Sequence, residues 1–133
     1  MNLQVGVKVL IINSTAQYLF LQRSVKLSTD SNETSWDIPG GRINTDEALL
    51  DALTREIEEE IGHSITTTPE LIASQDIFVE SEDLHVVRLT YMVKEDISNI
   101  NLSSEHDSYQ WVDKVEIKNM NTEPYLAQVL NNL

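Results

Sequence analysis

Four glutamates crowd the stretch Arg55-Glu56-Ile57-Glu58-Glu59-Glu60-Ile61-Gly62, and their spacing separates them by role. On a helix at about 100° per residue, Glu47, Asp51 and Glu58 fall opposite the apolar arc of Leu49, Leu50, Leu53, Ile57 and Ile61, where solvent is expected. Glu56, Glu59 and Glu60 share another arc of about 100° that overlaps the rim of the apolar face, which brings their carboxylates close together. Like charges at three- and four-residue spacing destabilise a helix by roughly 0.2–0.5 kcal/mol per pair. The helix dipole disfavours anions in the last turn by roughly 0.3–1 kcal/mol each. A divalent cation would reverse both penalties, and a donor set made only of carboxylate oxygen suits Mg²⁺ or Mn²⁺. The same acids left in water, with raised pKa values, are the alternative that the wheel leaves open.

Positioning these residues requires a helix held against a sheet. Trp36-Asp37-Ile38-Pro39-Gly40-Gly41 reads as a short strand entering a tight turn. After it, Asn44 or Thr45 is expected to cap a helix running to about Ile61. Glu47 stands at capping-box spacing from Asn44, and Gly62 supplies the stop. Residues 3–12 read as a buried strand and residues 18–22 as its hairpin partner across the Asn13-Ser14-Thr15 turn. Residues 24–35 are polar and read as a surface loop, either at the mouth of a site or without a role in one. Strand patterns return at residues 71–79, 84–93 and 109–112. Pro124, followed by Tyr125, Leu126, Val129, Leu130 and Leu133, suggests a closing helix. Strands on both sides of a central helix predict an α/β fold, a mixed sheet with helices packed on it.

Length and charge narrow the classes. The 133 residues fit one domain, and the absence of cysteine excludes disulfides, thiolate metal sites and cysteine nucleophiles. The formal net charge of −13, from 22 acids against nine bases with no basic cluster, opposes binding to nucleic acid or to an anionic membrane. Met1-Asn2-Leu3-Gln4-Val5-Gly6-Val7-Lys8 lacks the features of a signal peptide, and the apolar run at residues 9–12 is too short to cross a bilayer, so a cytoplasmic protein is expected.

Read with the turn before it, the acid-rich helix resembles the Nudix box: a Gly, five residues, a Glu, seven residues, then Arg-Glu-aliphatic-any-Glu-Glu-any-Gly-aliphatic. Here Gly41 is followed by Glu47 and then by residues 55–63 in that order. Seven fixed identities, each at roughly 5–7% usage, put a chance match on the order of one in a million. Trp36-Asp37-Ile38-Pro39-Gly40 also resembles the family's lead-in to the box. One position departs: the last box residue is usually aliphatic and is His63 here, a change that bears on packing after the helix more than on chemistry.

The resemblance implies a single Nudix hydrolase domain over residues 1–133, with the box at 41–63, folded as a Nudix-type α/β/α sandwich with a mixed β-sheet. It implies a Nudix pyrophosphohydrolase, a hydrolase acting on acid anhydrides, that cuts the diphosphate linkage of a nucleoside diphosphate joined to another moiety. Glu56, Glu59 and Glu60 would hold Mg²⁺, with Mn²⁺ as the alternative and the Gly41 carbonyl contributing, and Arg55 would orient Glu56. Glu59 counts with Arg55 and Glu56 among the catalytic candidates. The general base stays open between Glu56 and Glu105, which resembles a loop acid used by many members. Arg23 and Arg42 are the candidate contacts to the nucleotide-type diphosphate. His106 reads as exposed and structural, with a proton shuttle as the alternative, and His85 reads as structural. Trp36, Tyr91 and Trp111 are either core or stacking residues. Many members are homodimers, which is the expectation for assembly. A Nudix-fold domain that binds a nucleotide or a protein without turnover is the alternative, although such domains usually lose box acids, and all are present here.

Overall fold

In the computed structural model the described residues are 1–24 and 35–133, so most of the polar loop expected at residues 24–35 lies outside them. Among the described residues seven strands form one mixed sheet around the long strand β1 (Asn2–Ile12). The remaining strands are β2 (Gln17–Arg23), β3 (Trp36–Asp37), β4 (Gly40–Arg42), β5 (Glu70–Val79), β6 (Leu84–Lys94) and β7 (His106–Asp113). β1 runs parallel to β6 along its whole length, from Asn2 opposite Leu84 to Ile12 opposite Lys94, and β5 closes that side antiparallel to β6. On its other side β1 has two successive partners. Its middle pairs with β4, Lys8 opposite Gly40 and Gly6 opposite Arg42, while its end meets β2 at Ile12 opposite Tyr18. β2 therefore departs from the simple hairpin expected. Its main partner is β7, with Gln17 opposite Asp113 and Tyr18 opposite Val112, and β3 pairs on its far edge.

The two-residue periodicity of β1 divides the core. Val7, Val9 and Ile11 face helix α1 (Leu49–Ile61) and pack with Leu19, Leu21, Ala52, Leu53, Ile57 and Ile61. Leu10 faces the other way and packs with Tyr18, Phe20, Ile38 and Val112 beneath helix α2 (Pro124–Leu130), which contributes Leu126 and Leu130. One helix on each face thus leaves neither apolar surface open. Tyr91 is buried in the α1-side core; Trp111 packs against that core and Trp36 against the other, each partly buried. No helix among the described residues is long and apolar enough to cross a membrane.

The ends of α1 differ from expectation at one side and match it at the other. The N-cap is Ala48, without a side-chain cap bond, rather than Asn44 or Thr45. Glu47 does take the Asn44 N–H at 2.9 Å, as a capping box would, but Asp46 adopts a left-handed φ of 67° and the helix begins only at Leu49. Leu50, placed in the apolar arc by the wheel, is exposed. At the other end Gly62 is left-handed and donates to the Glu58 carbonyl, the expected stop. α2 begins with Pro124 at its first turn, and the Glu123 carboxylate caps it by accepting from the Tyr125 and Leu126 amides.

His63 replaces an apolar contact with a polar clasp. Its Nε2 meets Glu95 at the end of β6, whose Oε1 also accepts from the Thr66 and Thr67 amides, each at 2.9 Å. Burial alone would raise the Glu95 carboxyl; the hydrogen bonds from His63, Thr66 and Thr67 outweigh it and hold the group down at about 2. A carboxyl lowered from 4.5 to about 2 on folding adds stability above its unfolded value and loses it as pH falls toward its folded one. Glu95→Ala is therefore expected to cost about 1–3 kcal/mol at neutral pH. In urea unfolding, the difference from the native chain should shrink as pH drops below about 4.5.

Candidate active site

Arg55, on the outer edge of α1, organises the acids around it. Its Nε donates to Glu47 Oε2 at 2.7 Å and its Nη2 to Glu47 Oε1 at 3.0 Å, a two-pronged grip. The same Nη2 reaches the Arg42 carbonyl at 3.1 Å. Nη1 donates to Glu56 Oε1 at 2.9 Å and to Glu59 at 3.3 Å. The Arg55 hydrogen bond, followed by that from the Asn44 amide, pushes the Glu47 carboxyl down to about 2. Glu47 in turn heads the causes that raise Arg55. The expected partnership of Arg55 with Glu56 is present, and Glu47 joins it.

The three acids of the arc have different surroundings. The Glu56 side chain is 13% exposed, whereas that of Glu59 is 57% exposed. Glu60 is buried at 5% and rests on the β3–β4 turn, accepting the Gly40 N–H at 3.0 Å. Burial raises the Glu60 carboxyl to about 7; the Gly40 hydrogen bond and Lys8 oppose the rise, while Glu56 and Asp37 add to it. A buried carboxylate beside two other acids is a costly arrangement that a cation relieves.

Glu105 and His106, at the start of β7, approach the same carboxylate. The ligand atoms of Glu60, Glu105 and His106 lie within 4.8 Å of one another, close enough to hold a metal ion. Glu56 and Glu59 stand outside that group and are joined to each other through Arg55. The structure therefore extends the acid set beyond the box, to a loop residue 45 positions after Glu60 in the chain. His106 is half-buried rather than exposed, and burial is the main influence lowering its pKa. Its Nδ1 is buried without a hydrogen-bond partner among the described residues. His85 takes the structural part expected of it, stacked on Phe78 at 4.5 Å and bonded to Asp76 at 2.8 Å.

Glu60, Glu105, His106 and Arg23 line one pocket of about 200 Å³ together with Lys8, Asp37 and Gly40. Arg42 lies elsewhere, on a cleft shared with Leu3, Gln4, Asn44 and Glu47, so the two arginines face different spaces. Lys8 and Asp37 carry no pattern that marks them in sequence. Lys8 occupies a strand position, and Asp37 sits within the lead-in to the box, yet the pairing of β1 with β4 brings both to the pocket wall.

Both glycines of the turn are required by close approach. Gly40 has φ 146°, and a Cβ there would stand 2.1 Å from the Val7 carbonyl oxygen, a backbone atom that cannot yield. A Cβ at Gly41 would stand 2.6 Å from the Glu56 carboxylate, the end of a side chain that can move. Gly40→Ala should thus cost well over about 1 kcal/mol in chemical unfolding. Gly41→Ala should cost less and act chiefly by displacing Glu56; equal losses would contradict this contrast.

The NUDIX domain profile matches residues 2–133. No curated protein matches the chain. Among solved structures, a MutT protein from Methanosarcina mazei Go1 is 29% identical with a TM-score of 0.80, over 98% of this chain and 91% of that one. A MutT NUDIX hydrolase from Burkholderia pseudomallei shares the fold at 20% identity and a TM-score of 0.82, over 98% of each chain. The NUDIX domain of Shewanella oneidensis NrtR, solved with ADP ribose, does so at 15% identity and a TM-score of 0.78, over 98% of this chain and 86% of that one. A profile match over almost the whole length, on a chain whose box acids are tied together by Arg55 beside a Pro-Gly-Gly turn, places this protein in the Nudix hydrolase family.

Proposed function

We propose that the chain is a metal-dependent Nudix pyrophosphohydrolase of a single domain, cutting the diphosphate linkage of a nucleoside diphosphate joined to another moiety. The observation that carries this reading is the buried Glu60 carboxylate, held on the Gly40 amide and met by Glu105 and His106 at the wall of a pocket. The donor chemistry fits a hard divalent cation: carboxylates dominate, one of them buried, with no cysteine in the chain. Glu56, Glu59 and Glu60 would hold Mg²⁺, or Mn²⁺, with the Gly41 carbonyl beside them. Bound there, the cation would neutralise the diphosphate oxygens and lower the pKa of an attacking water.

The rest falls to the protein. Arg55 fixes the Glu56 carboxylate, so that this acid needs no reorganisation on binding. Glu105 takes the proton of the attacking water. Glu56 keeps one oxygen on Arg55, whereas Glu105 is exposed at the pocket beside Glu60. Arg23, on the same wall, contacts a substrate phosphate. Arg42 serves the more distant part of the substrate from its separate cleft. The net charge of −13 is compatible with a polyanionic substrate only because cations stand between them.

A panel of nucleoside triphosphates, dinucleotides, nucleotide sugars and ADP-ribose, incubated with Mg²⁺ and with Mn²⁺, tests the reading and assigns the substrate. Release of phosphate or of a nucleoside monophosphate from at least one of them is expected. Glu59→Gln should lower the rate by orders of magnitude without unfolding the chain, and Glu105→Gln should lower kcat by about 10²–10⁴-fold. No cleavage anywhere in the panel would overturn the enzyme reading in favour of a binding domain.

A further inference from the structure

Among the described residues of the pocket, Lys8 is a partly buried cation that the proposed chemistry leaves without a task. It lies in the middle of β1, flanked in the sheet by Gly40 of β4 and Thr90 of β6, and its side chain is only 15% exposed. Its stem runs along Gly40, where a Cβ would come within 2.9 Å of Lys8 Cδ, so the path of the side chain is fixed by the turn beside it. The ammonium donates to Asp37 Oδ2 at 2.8 Å and to the Ile38 carbonyl at 3.2 Å. An ammonium carries three N–H donors, and these two acceptors leave one for a ligand.

Stability does not account for this arrangement. Lys8 and Asp37 are partly buried, at 15% and 31% exposure, and exchanging such a withdrawn ion pair for apolar residues of similar size need not destabilise the fold. The pocket, in contrast, has an electrostatic need. It is lined by the carboxylates of Asp37, Glu60 and Glu105 against the cations Lys8 and Arg23. Arg55 is spent on Glu47, Glu56 and Glu59. An anion entering this space therefore meets two positive side chains among the described residues, and Lys8 is the one whose position is set in advance by the sheet. The buried Nδ1 of His106 on the same wall, without a partner among the described residues, is a second group that a bound molecule would satisfy.

We propose that Lys8 is the fixed phosphate anchor of this pocket: its ammonium, steadied by the sheet and the Ile38 carbonyl, donates its remaining N–H to a non-bridging oxygen of the bound diphosphate. This rests on the reading of the pocket as a diphosphate site. Asp37 then serves as a counter-charge that competes with the phosphate for the ammonium, while the Ile38 carbonyl and the sheet keep the lysine in place. The Asp37 Oδ1 accepts from the Ile38 amide at 2.8 Å, a contact that asparagine retains.

Titration of imidodiphosphate, an uncleavable diphosphate, in saturating Mg²⁺ separates this role from a structural one. Lys8→Met should weaken binding by at least about 10-fold, the loss of one charge-assisted hydrogen bond. Its Mn²⁺ affinity, read by electron paramagnetic resonance without the diphosphate, should not fall in parallel, because the ammonium is no ligand to the ion. Asp37→Asn, which removes a competing negative charge and keeps the ammonium, should bind imidodiphosphate at least as well as the native chain does. Unchanged binding in Lys8→Met, a parallel loss of Mn²⁺ affinity, or equal weakening by Lys8→Met and Asp37→Asn would each overturn the proposal. So would a native chain that takes up no imidodiphosphate. If Lys8→Met does not fold, Asp37→Asn alone decides, because a purely structural pair predicts a loss there. A chain that binds imidodiphosphate through Lys8 but cleaves nothing in the substrate panel keeps the anchor and loses the hydrolase reading, so the two failures are distinguishable.

Discussion

One guanidinium makes the acidic helix end tolerable. Glu56 and Glu59 stand near the C-terminal end of α1, where the helix dipole and mutual repulsion both work against them. Arg55 answers both with one planar group, sharing Nη1 between Glu56 and Glu59 and closing two bonds on Glu47. Lysine has the charge but not the fork, and could not satisfy acids on two sides in one plane. Because Glu47 also accepts from the Asn44 amide, the grip runs from the turn before the helix to the acids at its far end. The loop and the helix are thereby set relative to each other before any ligand arrives.

That setting has meaning only because the sheet opens at the same place. β1 leaves β4 after Lys8 and meets β2 again only at Ile12, and the turn through Pro39, Gly40 and Gly41 fills the divergence. The turn is tied to β1 at two successive residues, by the Val9 amide on the Pro39 carbonyl at 2.9 Å and by Lys8 on Asp37 and Ile38. Its Gly40 amide then points at Glu60. The absence of side chains at Gly40 and Gly41 is thus a packing requirement of the site, Gly40 against β1 and Gly41 against the Glu56 carboxylate.

Much of this was legible in the residues. The periodicity of α1 separates Glu56, Glu59 and Glu60 from Glu47, Asp51 and Glu58. Burial follows that division for Glu60, Glu58 and Asp51, but Glu59 is exposed and Glu47, expected in solvent, is mostly covered and gripped by Arg55. The strands and the closing helix fell within a few residues of their observed bounds, because alternation and Pro124 are local patterns. Contacts between distant segments were not legible. The approach of His106 to Glu60 depends on β7 pairing with β2, and the place of Lys8 on the pocket wall depends on β4 pairing with β1. The cap of α1 was misplaced because Glu47 showed the spacing of a capping residue while being engaged by Arg55. His63 departed from the box for a reason held 32 residues away, in Glu95.

A proposed cation site and a merely solvated acidic surface differ in one property, the binding of a divalent ion around Glu60. Titration of the chain with Mn²⁺, followed by the loss of the free-ion signal in electron paramagnetic resonance, tests it most directly. Saturable binding is expected, competed by Mg²⁺ and largely lost in Glu60→Gln, a substitution that keeps the buried shape and removes the charge. Binding that is absent in the native chain, or equally strong in Glu60→Gln, would contradict the cation site.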